Sequence, residues 1–319
     1  MKQIFTFGNY LRDKFGCKVY KVGINISGFT CPNIDGTVAK GGCTFCENDS
    51  FSASTNETQE LKGFHLNLNS QINPNLDKQL LQLEMQFNAI SKRQRDEYGA
   101  KKFLVYFQSF TNTYAPLSTL KALYEKALSF DNVVGLSIGT RSDSITDETL
   151  EYIAQLNKEK EIWIEFGIQS VYDETLKKIN RGHDSANVKE WILKAKKSGL
   201  HVCGHLIFGL PDETQEMMLH TAKEAYLWGI DSVKYHPLYV VKKTALANDF
   251  TKGDFLPINE ELYLDTLTKA INMKPDTISV QRVTAGIDND SLLAPEWCRD
   301  KNAQIKKINS SLKPFNLKY

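Results

Sequence analysis

The chain has 319 residues, 41% hydrophobic and 24% charged, the make-up of an ordinary folded protein rather than a disordered, collagenous or membrane-spanning one. Lys and Arg number 39 against 38 Asp and Glu, so the net charge of +1 excludes a uniformly basic nucleic-acid-binding body and leaves only local patches for that role. At about twice the ~150-residue length prior, one large α/β domain fits as well as two smaller ones.

The first sixteen residues carry Arg12, Asp13 and Lys14 where a secretory signal would need an unbroken apolar run. No segment approaches the ~18 consecutive apolar residues of a spanning helix. A cytoplasmic protein with no membrane partner is expected. A strand over 18–27 opens the fold and leads into residues 28–74, the least regular part, rich in Gly and Asn. From residue 100, β-rich runs at 102–107, 132–138, 161–168, 201–208, 232–236 and 277–280 alternate with helical patterns. The helices enter at Pro116 and near Asp147, then cover 172–178, 188–197, 214–227 and 259–273. Near-continuous apolar strands between amphipathic helices predict a parallel sheet buried on both faces, hence a barrel or partial barrel. The chemistry then belongs at the C-terminal strand ends, where the loops converge on one mouth. No internal repeat and no Pro/Gly/Ser-rich linker divides the chain.

The loop after the first strand, GFTCPNIDGTVAKGGCTFCEN, holds Cys31, Cys43 and Cys46 as C-x11-C-x2-C. Three grouped cysteines without a loop histidine are too few to close a zinc tetrahedron or a four-thiolate iron–sulfur site. In a [4Fe-4S] cluster, three thiolates leave one iron open to an external ligand. Gly36, Gly41 and Gly42 suit a backbone that must wrap closely around such a group. Cys17, Cys203 and Cys298 are isolated, and Cys203, inside an apolar strand, reads as a core thiol.

This loop resembles that of the radical S-adenosylmethionine (SAM) superfamily, in the elongator-like branch with an expanded first cysteine spacing. The blocks YFQSFTNTYAP, GLSIGTRSD, EFGIQSVYDETLKKINRGH, VKYHPLYVV and LLAPEW extend the likeness to the YhcC/YtqA-type family, from Phe15 to Trp297. The resemblance implies an α/β fold, a partial TIM-like (β/α)6 radical SAM barrel over residues 1–240 with a C-terminal extension, 241–319, packed on it. It also implies a [4Fe-4S] cluster and SAM as cofactors, with reductive cleavage of SAM giving a 5′-deoxyadenosyl radical. The alternative for the three cysteines, a zinc site completed by a distant ligand such as His65, leaves the later blocks unexplained.

The resemblance then distributes tasks along the strand ends. Where many relatives have a Gly-Gly-Glu-like turn for the methionyl amine, this chain has Gln108, Ser109, Phe110, Thr111 and Asn112, so Ser109 and Thr111 become candidate acceptors. Arg141 and Asp143 fall at the mouth, as a cofactor contact or a structural ion pair. Gln169 and Arg181 match SAM-contacting residues of oxygen-independent coproporphyrinogen oxidase, an amide for ribose and a guanidinium for the carboxylate. Glu165 needs a partner or a place in the mouth. His205 is a ribose contact or a satisfied strand histidine. Phe45 and Ile207 are expected against adenine. Alternation puts Lys234 and His236 on one face of the sixth strand, as candidate substrate contacts, and Tyr235 on the other.

The expected function is radical modification of RNA, most specifically of a tRNA wobble uridine, with a reductase or a flavodoxin- or ferredoxin-type electron donor. The alternatives are a small metabolite or protein side chain as substrate, or a non-catalytic zinc module. Support for RNA comes from Lys177, Lys178, Arg181, Lys189, Lys194, Lys196 and Lys197 with the five lysines of 301–319, a stretch without acids. Ordinary solvated helix faces would look the same. Tyr235 and Tyr239 are candidate surfaces for stacking a base.

Overall fold

Apolar residues alternate with small or polar ones along the strands, and in the computed structural model this alternation sorts side chains to the two faces of one curled parallel sheet. The structure describes residues 4–46, 64–70 and 72–312. The sheet contains β1 (Val19–Ile24), β2 (Lys102–Phe107), β3 (Val133–Thr140), β4 (Glu161–Gln169), β5 (His201–Phe208), β6 (Ser232–Pro237) and β8 (Ser279–Arg282), in that spatial order. The remaining pair, β7 (Val240–Val241) and β9 (Leu292–Ala294), is antiparallel and lies outside the barrel wall. The segment expected as an extension thus supplies the seventh wall strand, β8. It begins two residues later than its TISV run suggests.

On β4, Ile162, Ile164, Phe166 and Ile168 join the main hydrophobic core. That core lies under α3 (Leu117–Leu128), α4 (Asp147–Leu156), α6 (Ser185–Lys197), α7 (Gln215–Leu227) and α9 (Glu260–Met273). The alternate residues of β4 face the barrel interior. Trp163 there packs with Phe7 and Leu11 of α1 (Phe7–Phe15), Leu104 and Cys203, closing the barrel floor. The Phe7 and Trp163 rings meet edge to face at 4.8 Å. Helix α1 begins where the Thr6 hydroxyl accepts from the Asn9 N–H at 3.1 Å, and it ends at Gly16 with φ of 70°. Each apolar side chain that it buries stabilises the floor by roughly 1.5–3 kcal/mol.

Helix α2 (Leu76–Tyr98) has no counterpart in the sequence reading, because its buried face is not uniformly apolar: Gln79 and Gln86 sit within it. Their amides replace a neighbouring strand at the end of β1. Gln86 accepts from the Asn25 N–H at 3.0 Å and donates to the Asn25 carbonyl at 2.7 Å, and Gln79 donates to the Ser27 carbonyl at 2.7 Å. Short helices α5 (Asp173–Lys178), α8 (Ala245–Lys252) and α10 (Lys301–Ser311) complete the set. No helix among the described residues is long and apolar enough to cross a membrane.

Two expectations about surfaces are corrected. Tyr235 is fully buried on the outer side of β6, hydrogen-bonded to Tyr226, and is closed to any base. Several lysines of the proposed basic face are paired: Lys178 with Asp212, Lys194 with Asp147 and Glu190, Lys196 with Asp231. Arg181 is buried at the barrel mouth and does not belong to that face. Of the C-terminal lysines, Lys307 pairs with Glu260 at 2.6 Å, and Lys313 and Lys318 lie outside the described residues.

Candidate functional site

The cysteine loop leaves the end of β1 and is clamped to the loop after β4. Asn33, fully buried, makes most of the connection. Its amide nitrogen donates to the Arg181 carbonyl at 2.9 Å, to the Asn180 carbonyl, and toward Cys43 Sγ at 3.6 Å, while its oxygen accepts from Arg141 Nη2 at 3.2 Å. Asn180 returns the contact by donating to the carbonyls of Lys40 and Gly42. Gly36, Gly41 and Gly42 have left-handed φ of 87°, 84° and 77°, which is what the wrapping loop requires.

Cys31, Cys43 and Cys46 all line one cavity at the C-terminal ends of the strands. Burial pushes the Cys46 thiol up to about 12, with the neighbouring Cys43 and Cys31 adding to the rise. Sulfurs sharing one tetrahedral zinc at ~2.3 Å would lie within about 4 Å of each other. Among the described residues, the group of three ligand atoms within 4.8 Å of one another is Glu165, Cys203 and His205, not these cysteines. At least one pair of these thiols therefore lies farther apart than one zinc allows. Two guanidiniums border them: Arg181 Nη1 stands 3.6 Å from Cys43 Sγ, and Arg141 donates to the Arg181 carbonyl at 2.6 Å.

Arg141 also forms a two-pronged pair with Asp143, at 2.8 and 2.5 Å. Burial raises the Asp143 carboxyl, but the Arg141 hydrogen bonds and charge outweigh it and hold the group below its usual range. Arg141 is thus held in an ion pair, with Nη1 buried and without a hydrogen-bond partner among the described residues. Arg181 donates from Nη2 to the Gly167 carbonyl at 3.0 Å, and its Nε has no partner either. Gln169, at φ of 64°, ends β4 with its side-chain oxygen buried and without a partner among the described residues. A Cβ on Gly167 would lie 2.6 Å from Gln169 Nε2 and 2.7 Å from Arg181 Nη2, so both side chains lie across a backbone that only glycine permits. Unsatisfied buried donors and acceptors around an open cavity fit a polar ligand that supplies the missing hydrogen bonds.

Phe45 and Ile207 pack in one apolar cluster with Leu238, beside the cysteine loop. Thr111, Phe110 and Gln108 line the cavity and Ser109 does not. The turn after β2 places Phe110 at φ of 62°, and the Ser109 hydroxyl is buried away from the lining. Ser109 is thereby removed from the candidate acceptors.

Lower in the barrel, Glu165 is an electrostatic hub. One carboxylate oxygen accepts from Lys21 Nζ at 2.9 Å and Ser137 Oγ at 2.5 Å; the other accepts from His205 Nε2 at 2.7 Å and from Lys234 Nζ. Burial alone would raise the Glu165 carboxyl, but the charges of Lys21 and Lys234 hold it well below the usual range. Two lysines share one carboxylate, so burial still pushes Lys234 down to about 7. His205 is pushed down to about 4, first by burial and then by Lys234, and His236 to about 3, by burial and then Arg282. Both imidazoles are neutral near pH 7. Glu165 therefore has its partners within the wall, and its oxygens are already engaged. Lys234 and His236 face the cavity as alternation requires, with Tyr239 beside them.

The sequence reading missed Asn33, Lys21, Tyr106, Phe110 and Arg282. Asn33 and Phe110 lay inside motif blocks already marked, whereas nothing local distinguished Lys21 or Arg282.

Residues 35–225 match the radical SAM superfamily and residues 230–314 the radical SAM C-terminal domain. The chain is 34% identical over 312 residues to the uncharacterized protein YtqA of Bacillus subtilis, covering 98% of this chain and 90% of that one. It is 36% identical over 301 residues to protein YhcC of Escherichia coli, covering 94% and 89%. A shorter stretch of 157 residues is 30% identical to a tRNA uridine(34) acetyltransferase of Methanocaldococcus infernus, 48% of this chain and 29% of that one. The fold is similar to that of Elp3 from the same archaeon, at a TM-score of 0.60 and 19% identity over 93% of this chain and 63% of that one. The radical SAM family uses a [4Fe-4S] cluster and SAM, and the three cysteines lining this cavity and its unsatisfied polar rim fit both. The chain belongs to the radical SAM superfamily, within the family of YtqA and YhcC.

Proposed function

We propose that this radical SAM enzyme modifies RNA, at the side chain of a tRNA wobble uridine. The observation that carries the proposal is the match of about half the chain to a tRNA uridine(34) acetyltransferase. In this reading Cys31, Cys43 and Cys46 hold the [4Fe-4S] cluster. Thr111, Arg141, Gln169 and Arg181 hold the polar groups of SAM, Phe45 and Ile207 its adenine, and His205 its ribose. When bound, the two cofactors supply a 5′-deoxyadenosyl radical that removes a hydrogen atom. The protein's own part is to fix the cofactor, exclude water and present the substrate from the Lys234 and His236 side. A reductase or a flavodoxin- or ferredoxin-type protein delivers the electron. In this reading residues 1–240 carry the cofactor site, and β8 of the C-terminal extension, 241–319, adds Arg282 to its wall.

The test is to delete the gene, digest total tRNA to nucleosides and compare them by mass spectrometry, alongside tRNA binding by the purified protein at several salt concentrations. Loss of one wobble-uridine derivative, with binding that weakens as salt rises, is the expected result. An unchanged set of derivatives together with no salt-dependent binding would point to a small-molecule or protein substrate.

A further inference from the structure

The β6–β8 side of the cavity carries a charge that the described residues do not balance. Arg282, the last residue of β8, lines the cavity next to Lys234 of β6, its partner in register. Val233 pairs with Val280 and Lys234 with Arg282, so residue 281 is an extra one in β8. This bulge lets Gln281 reach inward to Lys21 Nζ at 2.6 Å while Arg282 takes the cavity-facing position that alternation would have denied it.

No carboxylate among the described residues pairs with Arg282, and no hydrogen bond engages its guanidinium among them. The one carboxylate in the lining, Glu165, is already shared by Lys21 and Lys234. His205 and His236 are neutral, and Arg282 contributes to keeping them so. The adjoining surface gives no relief, since Arg282 also disfavours the charged form of Lys301 at the start of α10. A half-buried guanidinium that lines the cavity, with cations on either side, is arranged to receive an oxyanion on its planar fork.

We propose that Arg282 is the anion-recognising residue of the substrate end of the cavity, and that the molecule modified there presents a phosphate or carboxylate to it. Lys234, 4.4 Å from the centre of the Tyr106 ring and bonded to its hydroxyl at 2.9 Å, is fixed alongside as a second donor. The inference rests on the reading of this cavity as a site for cofactor plus substrate. It adds the chemical class of the group that docks there. Under the RNA reading the oxyanion is the phosphate flanking an extruded nucleotide; a small acid would offer the same chemistry through a carboxylate.

The experiment is equilibrium binding to the anaerobically reconstituted full-length protein with SAM present, at low salt and without reductant. The probes are uridine 5′-monophosphate against uridine, and malonate against malonamide. Wild-type protein is expected to prefer one anion over its neutral counterpart by about tenfold or more. Arg282→Gln should abolish that preference while its cluster absorption and SAM affinity match wild type, and Arg282→Lys should retain part of it. A preference for the nucleotide assigns a phosphate, and one for malonate alone assigns a small acid. An Arg282→Gln protein that keeps the full preference, or a wild type that shows none for either pair, overturns the proposal. Failure of the wild type to bind SAM would instead overturn the reading of the cavity as the cofactor site.

Discussion

Replacing Glu165 by Gln removes one charge and almost no volume, and it leaves Lys21 and Lys234 facing each other across a neutral amide. Lys234 is only 5% exposed and Glu165 fully buried, so water cannot screen what remains. Breaking a buried pair by removing one partner costs about 3–5 kcal/mol. With an unfolding entropy of ~2.1 cal/mol/K per residue, a 319-residue chain loses roughly 4–7 °C of Tm for that amount. Scanning calorimetry of the anaerobic, cluster-loaded protein at pH 7.5 reads the shift directly. Adding Lys234→Met to Glu165→Gln removes the buried amine left without its carboxylate and should recover part of the loss. The Glu165 carboxyl is held below its unfolded value of 4.5, so its contribution is fully present above that pH and lost as pH falls through the folded value. The gap between wild type and Glu165→Gln should therefore close in acid. A Glu165→Gln protein within 1 °C of wild type (against the roughly 4–7 °C expected), or a double variant less stable than the single one, would refute the hub.

Changing Cys31, Cys43 or Cys46 to Ala should abolish cluster retention and SAM cleavage, whereas Cys203→Ala, in the sealed floor, should keep both; iron and sulfide analysis with 5′-deoxyadenosine measurement decides. Arg181→Ala should weaken SAM binding by roughly ten- to 150-fold with the cluster still assembled, and an unchanged affinity would return Arg181 to a purely structural role. Asn33→Ala removes the amide that ties Cys43, Arg141 and Arg181 together, so iron should be lost to a chelator faster than from wild type. His183, His205 and His236 are held at about 3, 4 and 3, below the unfolded value of 6.5. Stability from keeping them neutral is full above pH 6.5 and lost as pH falls toward those values, and His236→Gln should soften the acid loss measured by Tm.

The elements that sequence reveals are those whose signal is local. Runs such as KFLVYF and HVCGHLIF are near-continuous and apolar, and the strands Lys102–Phe107 and His201–Phe208 begin and end with them. The cysteine loop is equally legible, because its three cysteines lie within sixteen residues of one another. Partnerships across the barrel leave no such trace: Lys21 and Glu165 are 144 residues apart. Helix α2 is masked for a different reason, since its buried glutamines break the apolar stripe in order to satisfy the end of β1. Tyr235 was legible and misread. The alternation that turns Lys234 and His236 inward turns Tyr235 outward, so one strand cannot offer all three to the same ligand.

Arg282 was hidden by a bulge, and that also explains why counting charges along the sequence says little about what the cavity binds. Arg141 is matched by Asp143, Arg181 by the Gly167 carbonyl and the Cys43 sulfur, and Lys21 and Lys234 by Glu165. These pairings occupy most of their donors, while Arg141 Nη1 and Arg181 Nε are left without a partner among the described residues. Arg282 differs because its strand is one residue out of step with β6, which brings it beside Lys234 without bringing an acid along. Unpaired polarity in a barrel mouth is costly to the fold. Its persistence on the β6–β8 side, with neutral imidazoles around it, is accounted for when the missing charge arrives with the substrate.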